Sequence, residues 1–173
     1  MKTHCLAFLR TLGCTLLLAV AALASERKFE LPGNVQPSSD LLPTLEKMWL
    51  RSPTFRQQCQ RIAATPTLTV RIGVGVRLPM FRDSHAVTEF ERMSDGTTSA
   101  TVCIFNLRHL VKFIGHEFEH LVEQIEGIHL HSLALQHGSG VYRTNQGYYE
   151  TARAIKAGEK VYAEFRTARG IEY

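Results

Sequence analysis

The stretch from near Arg108 to Gly127 reads as a single amphipathic helix, and that helix limits what the rest of the chain can build. Leu110, Ile114, Phe118, Leu121, Val122 and Ile125 recur at helical spacing and form one apolar stripe. His116, His120 and Glu123 fall on the opposite face, with His109 and Phe113 nearby. A helix with an apolar back and a two-histidine front suits a core element that lines a cleft. Within it, Gly115 to His120 contains His-Glu-x-x-His. One helical turn separates His116 from His120, so both imidazoles can bind one metal ion. Glu117 lies beside them, within reach of a proton on a water that the metal activates. The chain has 8 His among 173 residues, so chance yields this pattern in roughly a few per cent of comparable chains. The metal reading therefore needs a real helix, a third ligand and a suitable compartment; without them the pair is a solvated polar face.

The compartment comes from the N-terminus. Lys2 and Arg10 precede an almost wholly apolar run from Leu12 to Leu23, and Ala22-Leu23-Ala24 has the form of a signal-peptidase site. Residues 1–24 thus read as a signal peptide, with export to the periplasm or the medium. The run is short for a membrane span and is followed by Glu26, Arg27 and Lys28. Removing it lowers the formal charge from +4 to +2 and leaves no basic run, which argues against a nucleic-acid partner and against a membrane role beyond the signal peptide. Of four cysteines, Cys59 and Cys103 remain. In an exported protein two cysteines can pair, and a bridge between them is the expectation, with two buried free thiols as the alternative.

The mature chain reads as one domain over residues 40–173, after a Pro/Gly/Ser-containing flexible lead-in at 25–39. Two short helices follow, Asp40 to Arg51 and Pro53 to Ala64, the second capped by Ser52 and turning Phe55, Cys59 and Ile62 to one face. Thr67 to Leu78 alternates as a strand, with Gly73 and Gly75 leaving one face bare. That bare face suggests a bulge or tight packing on a helix or, alternatively, a sheet edge for an extended peptide. Ala86 to Met93 and Ser99 to Leu107 read as strands joined in a hairpin at Asp95-Gly96. The His-Glu helix begins near Arg108 and stops at Gly127. Ile128 to Tyr142 is ambiguous, and Thr144-Asn145-Gln146-Gly147 leads into a last helix over Tyr148 to Thr167.

A catalytic zinc site usually has three protein ligands. Glu150 is the first candidate for the third, because it shares a helical face with Ala154, Ala157, Val161 and Phe165, and a carboxylate on a buried stripe needs a partner. Its alternatives are a charge at the helix N-terminus or a pair with Arg153. Glu126 is a second candidate, ten positions after His116, but the glycine needed to turn the chain back is replaced by Glu123. His129, His131 and His137 are others; the first two suit one face of a strand. Glu123 is placed to orient an imidazole from outside the ligand set.

Together, Gly115 to His120 and the downstream Tyr149-Glu150-Thr151-Ala152-Arg153-Ala154 resemble the zincin metallopeptidases, in particular the gluzincin branch. The short length is similar to its small exported bacterial members. The resemblance implies an α+β domain with a short, mostly antiparallel sheet packed on a central His-Glu helix and a C-terminal glutamate helix. It implies one Zn²⁺ per chain held by His116, His120 and Glu150. It also implies hydrolysis of a peptide or protein substrate, with Glu117 as general base. An oxyanion donor is also required; Tyr149 is favoured over Tyr142, Tyr148 and His131. Many gluzincins carry an acidic residue four after the ligand glutamate to hold a zinc-binding histidine, where this chain has Ala154. The alternative is an exported zinc-binding or partner-binding protein on the same scaffold without turnover.

Overall fold

The computed structural model describes residues 29–76 and 84–168. The signal peptide and the end of the first predicted strand at Leu78 lie outside the described residues. Strand β1 (Val35–Pro37) precedes helices α1 (Leu42–Arg51) and α2 (Pro53–Ala63), then strands β2 (Leu68–Val74), β3 (Ala86–Arg92) and β4 (Thr98–Ile104). A short 3₁₀ turn, Leu107–His109, leads into α3 (Leu110–Ile125). Then come α4 (Leu130–Ala134), β5 (Val141–Arg143), β6 (Tyr149–Thr151) and α5 (Ala152–Thr167).

The fold is α+β, with helices on one face of a four-stranded sheet ordered β1-β2-β4-β3. The sheet is not mostly antiparallel. β1 pairs parallel with β2 and β2 parallel with β4; only the β3–β4 hairpin is antiparallel. The reason is connectivity. The α1–α2 pair carries the chain back over the sheet between β1 and β2, which leaves those strands parallel. The Asp95-Gly96 turn, with Gly96 at φ +84°, folds β4 between β2 and the edge strand β3. Val35 is buried, so part of the lead-in belongs to the sheet. β2 is internal, but β1 pairs with it only over Val70–Ile72, so its glycine end is bonded along the β4 side alone. A Cβ at Gly75 would come 2.9 Å from Phe105 Cε1, so the bare face accommodates a phenyl ring, not a helix.

The core lies between Val70, Ile72, Ala100, Val102 and Ile104 of the sheet and the apolar faces of the helices. Ser52 caps α2 by accepting from the Phe55 N–H, and Phe55, Cys59 and Ile62 are fully buried as their spacing requires. Phe55 meets Phe118 of α3 with ring centroids 5.1 Å apart. Cys59 sits in this core, whereas Cys103 alternates with Val102 and Ile104 and faces the other side of the sheet. Both are free thiols, so the expected bridge is not formed.

Helix α3 ends as its glycine predicts. Gly127 has φ +69°, its N–H donates to Gln124 C=O, and the Ile128 N–H reaches back to Glu123 C=O, the paired closure of a Schellman motif. Against α3 lies α5, at a distance set by two glycines. A Cβ on Gly115 would meet Val161 at 2.8 Å, and one on Gly158 would meet the Lys112 carbonyl at 2.7 Å and His116 Cβ at 3.0 Å. No helix among the described residues is long and apolar enough to cross a membrane.

Candidate metal centre

His116 and His120 project from α3 with ring centroids 4.9 Å apart. Glu150 reaches them from β6, with Oε2 3.2 Å from His116 Nε2 and Oε1 3.5 Å from His120 Nε2. One donor atom from each of the three residues lies within 4.8 Å of the others. Their side chains are only 12%, 11% and 22% exposed. The three candidate ligands that the sequence ranks first therefore converge.

Glu150 does so from a different element than its spacing predicts. Tyr148 to Thr151 does not open the last helix; Tyr142 and Glu150 pair across the β5–β6 hairpin, and α5 starts at Ala152. Thr151 holds the break. Its backbone is extended (φ −129°, ψ 142°), and its hydroxyl accepts from the Ala154 N–H at 2.9 Å, capping α5. Glu150 is thus a strand residue aimed at α3 across the groove, not a member of the inward stripe of α5. The stretch read as the lead into that helix is the hairpin loop, with Gly147 at φ +90°. His129 and His131 are not on a strand; His131 lies in α4 and His129 just before it.

The other candidates are elsewhere. Glu126 is gripped by Arg153 and Arg61, and His129, His131 and His137 do not join the cluster. Arg153 bonds Glu119 and Glu126, so it does not take up Glu150.

Around the triad, three further groups are fixed. Glu117 is buried, and Thr88 on β3 donates its hydroxyl proton to Glu117 Oε2 at 2.6 Å. Burial pushes the Glu117 carboxyl up, against the pull of the two imidazoles and the Thr88 bond. Glu123 Oε2 lies 2.8 Å from His120 Nδ1, and Glu123 Oε1 accepts from Thr151 Oγ1 at 2.7 Å. Ala154 is a buried methyl; the acid that meets His120 Nδ1 is Glu123, on the same helix as the histidines. Tyr149 lines the cleft, and its hydroxyl is 2.8 Å from His131 Nδ1. Thr88 and Thr151 were not marked by any motif; only the position of Thr151 ahead of a helix-forming run signals its cap.

Burial disfavours charge on His120, but its bonds to Glu123 and Glu150 and the Glu117 charge outweigh this and raise it to about 10. Burial likewise opposes charge on Glu150, yet bonds from His116 and His120 hold it down at about 2. The cleft facing these groups has a volume of about 600 Å³. Its walls include Ala86, Phe90, Phe113, Ile128 and Leu130, and no Lys or Arg lines it among the described residues. Two imidazoles presenting Nε2 and one carboxylate form a donor set suited to a divalent ion with a position left open.

No protein-family model matches this chain, and no curated protein or solved structure matches it either.

Proposed function

We propose that the chain is an exported zinc-dependent peptidase of zincin type, with His116, His120 and Glu150 holding one Zn²⁺. One observation carries the reading: three donors converge at a cleft lined, among the described residues, by Glu117 and Glu150 beside histidines and hydroxyls and by no Lys or Arg side chain. Charge of that sign, enclosed without a fixed cation, suits a mobile one. Zinc bound there would lower the pKa of water and polarise a scissile carbonyl.

The remaining work falls to the chain. Glu117, adjacent to His116 and steered by Thr88, accepts the proton of the attacking water and passes it to the leaving amine. Tyr149, held by His131 at the cleft wall, is the candidate donor to the developing oxyanion. β3 is the last strand of the sheet and its residues line the cleft, so an extended peptide can lie along it. The signal-like N-terminus supports delivery to the periplasm or beyond.

Metal analysis of the purified protein beside His116→Ala tests the site. One zinc per wild-type chain, lost in the variant while the helical circular dichroism persists, is the expected result; equal low metal in both rejects it. Cleavage of a diverse peptide library by wild type and Glu117→Gln tests the chemistry. Loss of about 10²–10⁴-fold in rate with zinc retained is expected for removal of a general base. Zinc binding with no cleavage at all would instead identify a binding protein without turnover.

A further inference from the structure

We infer that Glu123 is the positioning residue of the metal centre, its buried carboxylate joining the His120 imidazole to Thr151 and so aligning two of the three donors at once. This rests on the metal reading above. Glu123 is 2% exposed, and both of its oxygens are used: Oε2 on His120 Nδ1 at 2.8 Å and Oε1 on Thr151 Oγ1 at 2.7 Å. A carboxylate this enclosed is costly unless its lone pairs are filled by good donors. Engaging Nδ1 leaves Nε2, 3.5 Å from Glu150 Oε1, as the ring nitrogen that faces the site.

The second arm reaches the other side of the groove. Thr151 is 2% exposed; its hydroxyl donates to Glu123 and accepts from the Ala154 N–H. It therefore locks the extended backbone where β6 meets α5. Glu150 is the neighbouring residue, so the direction of its carboxylate follows that lock. His120 and Glu150 sit thirty residues apart in sequence, and the Glu123–Thr151 contact is a direct polar tie between the elements that carry them.

The test is titration of the purified chain with Zn²⁺ against a competing chelator, together with the visible spectrum of its Co²⁺ form. The set is wild type, Glu123→Gln, Thr151→Val and Thr151→Ser. Glu123→Gln and Thr151→Val should each weaken Zn²⁺ about 10–100-fold, the usual effect of removing a ligand's outer partner, and shift the Co²⁺ band. Thr151→Ser, which keeps the hydroxyl, should restore both. Ser52→Ala, loss of the α2 cap, is the control for simple destabilisation and should leave the Co²⁺ band unmoved. Wild-type affinity and an unmoved band in Glu123→Gln would overturn the inference. Should that variant fail to fold, equal affinities in Thr151→Val and Thr151→Ser overturn it alone. A wild type that takes up neither ion defeats the metal reading and this one with it; a binding wild type matched by its variants defeats only the bridge.

Discussion

Helix α3 carries acidic residues toward two different surroundings, and they are balanced by different means. Toward the histidine pair stand Glu117 and Glu123, with Glu150 opposite, and their partners are His116, His120, Thr88 and Thr151. Away from it stand Glu119 and Glu126. Glu119 bonds Gln58 Nε2 at 2.8 Å and Arg153 Nε at 2.6 Å, while Glu126 is shared by Arg153 and Arg61. The electrostatic outcome differs accordingly. The Arg153 hydrogen bond holds Glu126 below the usual carboxylate range, whereas burial pushes Glu117 above it. One group of carboxylates is closed by permanent guanidinium charge and is structural. The other is held by imidazoles and hydroxyls without a guanidinium, and imidazoles can exchange a proton for a metal ion.

The largest effect on this contrast should come from Glu150→Ala. Zinc affinity should fall by more than the roughly 10–100-fold that an outer partner is worth, because a ligand itself is removed; calorimetric titration measures it. Next is Gly158→Ala. Its methyl would meet the Lys112 carbonyl at 2.7 Å and His116 Cβ at 3.0 Å. Forcing α5 off α3 should cost ~1–3 kcal/mol by urea denaturation and weaken zinc as well, because the strain falls on a ligand-bearing residue.

Arg153→Met probes the other cluster. Leaving buried Glu119 with Gln58 alone should cost ~1–3 kcal/mol of stability while zinc affinity stays unchanged. A parallel loss of zinc would erase the distinction between the two clusters.

A last expected effect is that of pH on the metal-free protein. The raised His120 contributes stability that is full below its ordinary 6.5 and is lost as pH climbs through about 10. The lowered Glu150 contributes stability present above its ordinary 4.5 and lost as pH falls through about 2. For this pair, unfolding free energy in chelator is thus highest between pH 4.5 and 6.5 and declines on both sides. Zinc should flatten the alkaline limb, since the metal replaces the proton on His120.

Much of the site is legible in the chain because it is local. His116, Glu117 and His120 share one helix, and so does Glu123, whose bond to His120 spans a single turn. Glu150 is the candidate in the sequence because its spacing puts it on the apolar stripe of the last helix; it does meet the histidines, but from a strand, so the premise of that choice does not hold. The choice between strand and helix at 148–151 is made by the pairing of Tyr142 with Glu150 and by the Thr151 cap, contacts that no local periodicity reports. Sheet direction escapes for a similar reason: alternation marks β2 and β4 as strands but is the same for parallel and antiparallel neighbours.

The sequence alone determined the apolar stripe of α3, its glycine stop, the spacing of the histidine pair and the hairpin at Asp95-Gly96, all of which follow from backbone geometry over a few residues. The tertiary structure alone decided that β4 lies between β2 and β3, that Cys59 and Cys103 face away from each other, and that α5 approaches α3 closely through Gly115 and Gly158. Those outcomes depend on which surfaces meet across long stretches of chain. At Gly115 and Gly158 the missing side chain is explained only by what fills the space, the Val161 side chain and the Lys112 carbonyl.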